Sequence, residues 1–293
     1  MRRGMKGSYR RTADLIKEHF TSILLICAAV YVVFLCMSMV QQFFLFIIYG
    51  LLGVGLFAII GGVLLATLGG GLTALGIIII IFGIVLLFIM LLLFLLFIIA
   101  AGAFNFGLQI YIAELLLKLK NGAKVDWSDF WNDLRSGWKR IMKRGAGLFL
   151  RYLLIALVIS LLTYLILACF VAAFIFMFIF EASPVMTVTT SILANILLMA
   201  FYGILMVVVY PVLWFVFEAA AVRMAEGKDA GKAVRQGLRD IRHHKRGVLY
   251  FAAGYLMLIL ATMVFFPLAF ILGPIMPVLT KSFFIANRDM FCE

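Results

Sequence analysis

The sequence predicts an all-α, polytopic transmembrane helix bundle, on three observations. Between Phe20 and Ala113 the chain runs 94 residues without one charged side chain. Hydrophobic residues make up 66% of the chain and charged residues only 13%, whereas soluble domains are about 25% charged. Because a helix needs about 20 apolar residues to cross a bilayer, the uncharged blocks are long enough to be membrane helices: 20–113, 152–180, 182–217 and 247–280.

The basic residues are concentrated in three segments at the ends of these blocks. Residues 1–19, 118–147 and 223–247 together hold 22 of the 25 lysines and arginines. By the positive-inside rule these segments face the cytoplasm, and 181–190 is external. We therefore predict a multi-pass protein of the plasma membrane with both termini cytoplasmic. Residues 1–20 form a basic surface segment, and 21–293 form one transmembrane domain with cytoplasmic loops 118–147 and 223–247.

The first half of the chain leaves the number of crossings open. A short basic helix is expected over 8–19 and the first membrane helix over 21–47. Glycines are dense from Gly50 to Gly83, where they permit close helix packing or turns. An even number of crossings must separate two inside segments. Four helices of about 23 residues fit this region, and the alternative is two crossings plus a re-entrant hairpin around 50–72.

Two helical hairpins are expected after residue 147. The first joins helices near 148–180 and 186–222 through an external turn at Ala182, Ser183 and Pro184. The second joins helices near 248–266 and 268–287, with bends at Pro267, Gly273-Pro274 and Pro277. The total is six spans, or eight if the glycine-rich region crosses twice more.

The two basic loops repeat one pattern. An arginine, a glycine, a basic residue and an isoleucine occur in the first loop and again 100 positions later in the second. A Lys-Arg-Gly sequence follows them in each loop, and its two copies are 102 positions apart. This self-similarity predicts two parallel helix–loop–helix units. The matched positions are Arg135, Gly137, Lys139 and Ile141 in the first loop, and Arg235, Gly237, Arg239 and Ile241 in the second.

With these loops and a closing segment from Pro277 to Asp289, the layout resembles six-helix integral membrane families of bacteria and archaea. These families are uncharacterised, and they include the membrane domain fused to some glycerophosphodiester phosphodiesterases. The resemblance covers about 90–290 and departs from that pattern at the glycine-rich region 50–83. It implies a membrane fold, and since the soluble phosphodiesterase domain has no counterpart among these residues, it implies no catalytic activity.

Three charged residues lie inside or at the edge of the apolar blocks. Glu114 and Glu218 are each near the end of a long apolar helix, and Arg151 enters the next one. An ionised side chain in a bilayer requires a partner. We therefore expect Arg151 to pair with Glu218 or Glu114, either as a structural ion pair or at a proton- or ion-coupled site.

Residues 126–141 predict an interfacial amphipathic helix. Aromatic and aliphatic residues recur there at helical spacing, with acids in the first turns and bases after them. Bases on this helix and in the second loop are candidates to contact anionic lipid headgroups. The predicted lipid- or partner-facing residues are Trp127, Trp131, Trp138, Lys139, Arg140, Arg239 and Arg242.

Motifs for the common enzyme classes are missing from the sequence. We find no phosphate-binding loop, no His-Glu-x-x-His and no nucleophile elbow. We therefore expect no enzymatic activity, no cofactor, no metal and no nucleic-acid partner. The leading hypothesis is a membrane protein that organises lipid or a protein partner through its basic cytoplasmic face. The alternative is a small-solute or ion-coupled permease that uses Glu114, Arg151 and Glu218.

Overall fold

The computed structural model describes residues 5–179, 184–264, 266–288 and 291, and these residues are helical apart from short turns. No strand occurs in those ranges. A π-helical turn, Leu205–Val209, separates α5 from α6. The helices are α1 (Met5–Glu18), α2 (Phe20–Thr67), α3 (Gly71–Lys120), α4 (Trp127–Ile179), α5 (Pro184–Ile204), α6 (Tyr210–Ala225), α7 (Ala230–His243), α8 (Lys245–Val264) and α9 (Phe266–Ala286).

The glycine-rich first half forms one long helical hairpin, which differs from both predicted alternatives. α2 and α3 contain 48 and 50 residues and are continuous, with no break near residue 47. The only turn between them is at Leu68–Gly70, where Gly69 and Gly70 have φ of 76° and 65°. Isolated glycines in an apolar helix keep their backbone hydrogen bonds, which are costly to break without water. The hairpin turns only where two consecutive glycines adopt positive φ, a conformation that glycine reaches without steric cost.

Glycines on the facing sides of α2 and α3 allow the two backbones to approach closely. A Cβ placed on Gly62 would lie 2.7 Å from the Gly76 carbonyl oxygen, and one on Gly83 would lie 2.8 Å from the Gly55 carbonyl oxygen. These are the close approaches predicted for the glycine-dense segment. Gly61, by contrast, has no neighbour within 4 Å of such a Cβ.

The second half contains the expected pairs of helices, with two differences in detail. The amphipathic segment predicted over 126–141 continues into the next helix without a break, so that α4 runs over 53 residues. The chain widens into a π-helical turn just before Pro211. Proline lacks an N–H and clashes with the carbonyl four residues earlier, and a wider turn relieves both effects. Ala182 and Ser183, predicted to form the external turn, lie outside the described residues.

Contacts between helix ends bring the three basic segments to one end of the bundle. The Lys120 ammonium donates to the Ile285 carbonyl oxygen at 2.7 Å, which joins the ends of α3 and α9. The Asn287 side-chain amide donates to the Ser8 carbonyl oxygen at 3.2 Å, which joins α1 to the chain after α9. The main buried core is also at this end, where the last turns of α3, α6 and α9 pack together and α7 packs against α6. We call this part of the molecule the basic end.

Among the residues that the structure describes, four helical stretches are long and apolar enough to cross a membrane. They are Phe20–Thr67, Leu72–Lys120, Trp127–Cys169 and Asn195–Ala225. Large hydrophobic side chains are exposed along α2 and α3, including Phe46 and Phe57 at 77% and 78% exposure. Exposed apolar surface of this extent, on helices long enough to cross a bilayer, is typical of a membrane protein. The chain is therefore an all-helical membrane protein.

Candidate functional site

A buried polar cluster joins three helices inside the bundle. Lys281 on α9 has no exposed side-chain area, and its Nζ lies 2.6 Å from Oε2 of Glu218 on α6. The same ammonium donates to Oε1 of Gln109 on α3, and to the Pro277 carbonyl oxygen at 3.3 Å. The pair links residues that are 63 positions apart in the chain.

The cluster satisfies the hydrogen-bonding capacity of Lys281. A lysine ammonium has three N–H donors and no acceptor, and three acceptors surround it here: a carboxylate, an amide oxygen and a backbone carbonyl. A buried charge is tolerated when it is paired and fully hydrogen-bonded. Lys281 was missed in the sequence analysis because it directly follows the apolar block 247–280. Its position as a single base within an apolar helix is the signal that points to it.

A cavity of about 480 Å³ lies beside this cluster, between α2, α3, α6 and α9. Its wall is mainly apolar, and it contains no charged side chain among the described residues. Several wall residues are exposed, so the cavity opens to the surroundings of the helices. The polar side chains in the wall are Ser38, Gln41, Asn105, Gln109 and Trp214. Gln109 therefore belongs to both the cavity wall and the cluster around Lys281.

Two backbone or side-chain groups in the cavity wall lack their usual hydrogen bonds. Nε1 of Trp214 is buried and has no hydrogen-bond partner among the described residues. The Gly273 carbonyl has lost its intrahelical donor, because the residue four positions later is Pro277, which has no N–H. Both residues line the cavity, but the Trp214 nitrogen has almost no accessible area and so is not exposed to it.

Glu114 and Arg144 form a second ion pair nearer the basic end. The Arg144 guanidinium donates to Oε1 of Glu114 and to the Met224 carbonyl oxygen. These contacts tie α4 to the ends of α3 and α6. Both side chains of the pair are partly exposed, at 28% for Arg144 and 20% for Glu114. Arg144 was predicted only as part of the Lys-Arg-Gly motif.

The predicted pairing of Arg151 with Glu218 or Glu114 is wrong. Glu218 is paired with Lys281 and Glu114 with Arg144. Arg151 instead donates to the Gly147 carbonyl oxygen of its own helix at 2.6 Å. Its guanidinium also lies close to the first turn of α7, where it favours the charged form of Asp229. The three predicted charges are therefore distributed over three separate contacts.

Asp229 caps the N-terminus of α7. Its Oδ2 accepts a hydrogen bond of 2.9 Å from the Gly231 backbone N–H. This hydrogen bond, with the positive charge of Arg151 nearby, lowers the pKa of the Asp229 carboxyl from its ordinary value. A capping carboxylate satisfies one of the free N–H groups of the first turn. Nearer its other end, α7 is held to α6 by a buried ion pair between Arg223 on α6 and Asp240 on α7.

The predicted lipid- or partner-facing residues are mostly exposed at the basic end. Lys139, Arg140, Arg239 and Arg242 are all exposed, and so are Trp127 and Trp138. Lys139 Nζ lies 5.9 Å from the ring centroid of Trp138. Trp131 differs, since it is only half-exposed and packs edge-on against the buried Phe130. It therefore anchors the start of α4 in the core.

The two basic loops begin with the same backbone motif. One capping residue follows the last residue of α3 and of α6. The next residue is in each case a glycine with positive φ, Gly122 at 83° and Gly227 at 93°. In both loops the next amide bonds back five residues: Ala123 N–H to the Lys118 carbonyl at 3.0 Å, and Lys228 N–H to the Arg223 carbonyl at 3.1 Å. This is the Schellman end of a helix.

Comparison with known protein families, curated protein sequences and solved structures gives no match. The resemblance to six-helix membrane families therefore stays a prediction. Within the described part of the chain, no three His, Cys, Asp or Glu side chains come together as a set of metal ligands.

Proposed function

We propose that this chain is a multi-pass plasma-membrane protein that holds anionic lipid headgroups on its basic end, turned toward the cytoplasm. The observation that carries the proposal is the division of α4 and α7 into two sides. At the basic end, Phe130 and Ile141 of α4 and Ala233 and Val234 of α7 are buried in the bundle, while most bases of the two helices are exposed. The exposed bases are Arg135, Lys139, Arg140 and Lys143 on α4, and Lys232, Arg235, Arg239 and Arg242 on α7.

Charge and position both favour lipid as the occupant of this surface. An anionic leaflet attracts each nearby lysine or arginine by about 1 kcal/mol. Trp127 and Trp138 are exposed on the same segment as the α4 bases, and tryptophan prefers the level of the lipid headgroups. A basic surface beside such aromatics matches the interface of an anionic bilayer better than it matches a folded nucleic acid.

A lipid-selection experiment tests this proposal. The protein is reconstituted with equal amounts of phosphatidylglycerol and phosphatidylcholine, extracted in mild detergent, and its retained lipid is counted by mass spectrometry. We expect phosphatidylglycerol to be enriched. Replacing Lys139, Arg140, Arg239 and Arg242 by glutamine is expected to abolish the enrichment. The matched control exchanges lysine and arginine at the same four positions and keeps the charge.

Equal enrichment in the glutamine variant and the control would contradict the lipid proposal. Loss of a bound protein in the glutamine variant, with lipid unchanged, would assign the surface to a protein partner instead. High salt should weaken lipid enrichment in the parent protein, because exposed charges are screened within about 8 Å at physiological ionic strength.

The topology that accompanies this function has six crossings: α2, α3, α4, α5 with α6, α8, and α9. The continuity of α2 and α3 supports six over eight, and the shared Schellman ends support the proposed repeat of the two loops. Single cysteines at positions 140 and 239, in a background without the native cysteines, should react only with a reagent that reaches the cytoplasm. Labelling of the two positions from opposite sides would exclude this topology.

A second candidate function is a solute permease. It is favoured by the cavity beside the buried pair of Lys281 and Glu218. Flux of a solute into proteoliposomes, with a proton dependence that is lost in Glu218→Gln, would support it. Unchanged proton dependence in that variant would remove the coupling from this hypothesis.

A further inference from the structure

We propose that a charged cleft at the basic end, formed by the ends of α3 and α6 with α4 and Arg288, binds one phosphate monoester in its doubly charged form. Phosphatidic acid and soluble organic phosphates share this group. The site needs no anionic bilayer, so it does not depend on the lipid-holding surface of α4 and α7, although Arg140 belongs to both.

The wall of this cleft is rich in charged side chains. The cleft has a volume of about 530 Å³, and the described residues of its wall include four bases and three acids. The bases are Lys118, Lys120, Arg140 and Arg288, and the acids are Glu114, Asp133 and Glu226. A wall of this composition suits a small polar ligand, unlike the mainly apolar wall of the cavity between α2, α3, α6 and α9.

Each acid of the wall already has a basic partner. Oε1 of Glu226 lies 3.2 Å from Nη2 of Arg288. Oδ2 of Asp133 lies 3.5 Å from Nζ of Lys118. Glu114 is paired with Arg144, which brings a further positive charge to this part of α4. The acids are therefore neutralised within the protein, and they do not make the cleft a site for a cation.

Two bases of the wall have no acid to neutralise them. Arg140 is exposed, and it forms no ion pair within the part of the chain that the structure describes. The Lys120 ammonium donates to the Ile285 carbonyl oxygen, which is neutral, so its charge is not compensated. Because the cleft is small, both charges act on a ligand inside it over about one screening length, roughly 8 Å at physiological ionic strength. A surplus of two positive charges favours a ligand with two negative charges.

A phosphate monoester matches this surplus in charge and in hydrogen bonding. It carries close to two negative charges at pH 7 and has three acceptor oxygens. An arginine guanidinium binds phosphate oxygens through two parallel hydrogen bonds. The Lys118 and Arg288 side chains are 56% and 53% exposed, so they are free to turn toward a bound phosphate. The three acids of the wall repel a polyanion, which argues against a nucleic acid or a nucleoside triphosphate.

Equilibrium dialysis against two probes of matched shape tests the site in the full-length protein. The protein is placed in phosphatidylcholine nanodiscs at about pH 8 and dialysed against phenyl phosphate or phenyl sulfate, with empty nanodiscs as the partition control. The phosphate is doubly charged at this pH, since its second pKa is about 6, whereas the sulfate is singly charged. We expect saturable binding of one phenyl phosphate per protein. Phenyl sulfate should bind roughly tenfold more weakly, because it has one charge less to attract the two uncompensated bases.

Variants with opposite expected effects separate the site from a loss of folding. Arg140→Gln should weaken phenyl phosphate binding about tenfold, the loss typical of one charge-assisted hydrogen bond. Asp133→Asn removes an exposed acid from the wall and should tighten binding about twofold to fivefold, which a misfolded protein would not do. The matched control is Lys124→Gln, which removes an exposed base of the α3–α4 loop outside the cleft wall and should leave binding unchanged.

Lipid retention identifies the source of the phosphate. The protein is reconstituted with equal amounts of phosphatidic acid, a monoester, and phosphatidylglycerol, a diester, and its retained lipid is counted by mass spectrometry after extraction in mild detergent. Preference for phosphatidic acid that is lost in Arg140→Gln would assign the site to a lipid. Binding of phenyl phosphate without this preference would assign it to a soluble ester.

Three outcomes would overturn the proposal. They are the absence of both phenyl phosphate binding and a preference for phosphatidic acid, equally tight binding of phenyl sulfate, and an equal loss of binding in Arg140→Gln and Lys124→Gln. None of them follows from a failure of the phosphatidylglycerol experiment above. That experiment uses a singly charged headgroup, and three of its four substituted bases lie outside the wall of the cleft.

Discussion

Lys281 Nζ lies 2.6 Å from Glu218 Oε2, and neither side chain has more than 3% of its area exposed. The pair joins α9 to α6, and Gln109 extends it to α3. Such a pair costs a large desolvation free energy, which the attraction between the charges offsets only if both are present. This relationship determines what substitutions at the site will do.

Removal of one charge from this pair is expected to destabilise the bundle strongly. Lys281→Met or Glu218→Leu alone leaves an unpaired buried charge and should cost about 3–5 kcal/mol in the free energy of unfolding. The double variant removes both charges and should be much less destabilised than either single variant. Unfolding by SDS titration in mixed micelles, arranged as a double-mutant cycle, measures the difference. Simple addition of the two single effects would show that the charges do not interact.

Two adjacent glycines on α2 should differ in their response to the same substitution. Gly62→Val places a side chain against the backbone of α3 at Gly76, and we expect a loss of about 1–3 kcal/mol from overpacking. Gly61→Val meets open space and is the matched control, with an effect near zero. SDS titration measures the difference in unfolding free energy. Equal destabilisation of the two variants would contradict the observed helix contact.

Replacement of the positive-φ glycines at the loop starts by alanine should lower the free energy of unfolding. Gly122→Ala and Gly227→Ala force an L-residue into a left-handed conformation, which costs about 1–2 kcal/mol each. Gly137→Ala on α4 is helical, with only the Arg140 side chain near its Cβ, and should be neutral or slightly stabilising. Thermal unfolding of the three variants in detergent distinguishes the outcomes. A neutral Gly227→Ala would contradict the Schellman geometry of the second loop.

The α7 cap predicts a pH dependence of local stability. The Gly231 N–H, together with Arg151, lowers the pKa of Asp229 in the folded chain. A carboxyl with a lowered pKa stabilises the fold above its unfolded pKa of about 3.9, and the benefit is lost as pH falls through the lower folded value. Hydrogen exchange of the amides in the first turn of α7 should therefore speed up below about pH 4.

Asp229→Asn is the control for that experiment. Asparagine keeps the capping oxygen and removes the titration. Its exchange rates, corrected for the intrinsic effect of pH, should be flat where those of the parent protein change. A parallel pH response in both proteins would assign the effect to another group.

Several helix ends were predictable because each has a local signal. The basic loops, Gly122 and Gly227 mark the helix ends, and Pro184 begins the helix predicted to start near it. The long hairpin was not predictable in the same way. Glycine permits both a turn and a close helix contact, and only the placement of Gly62 against Gly76 decides between them.

The ion pairs were only half predictable. The sequence identifies Glu114, Glu218 and Arg151 as charges that need partners, but a partner is chosen by which helices are neighbours. α9 lies against α6 and α3, and it brings Lys281 to Glu218. Arg151 lies one turn past Gly147 on α4 and reaches the start of α7 instead. Spacing along one helix contains no information about either outcome.

The reach of the α2–α3 hairpin has a consequence for the lipid around it. With 48 residues, α2 is about 72 Å long, while the hydrocarbon core of a bilayer is about 30 Å thick. A helix of this length along the membrane normal would leave about 40 Å of its apolar surface in water. The hairpin must tilt or kink, or the bilayer must thicken around it. The orientation of α2 and α3 and the thickness of the bilayer beside them are therefore coupled.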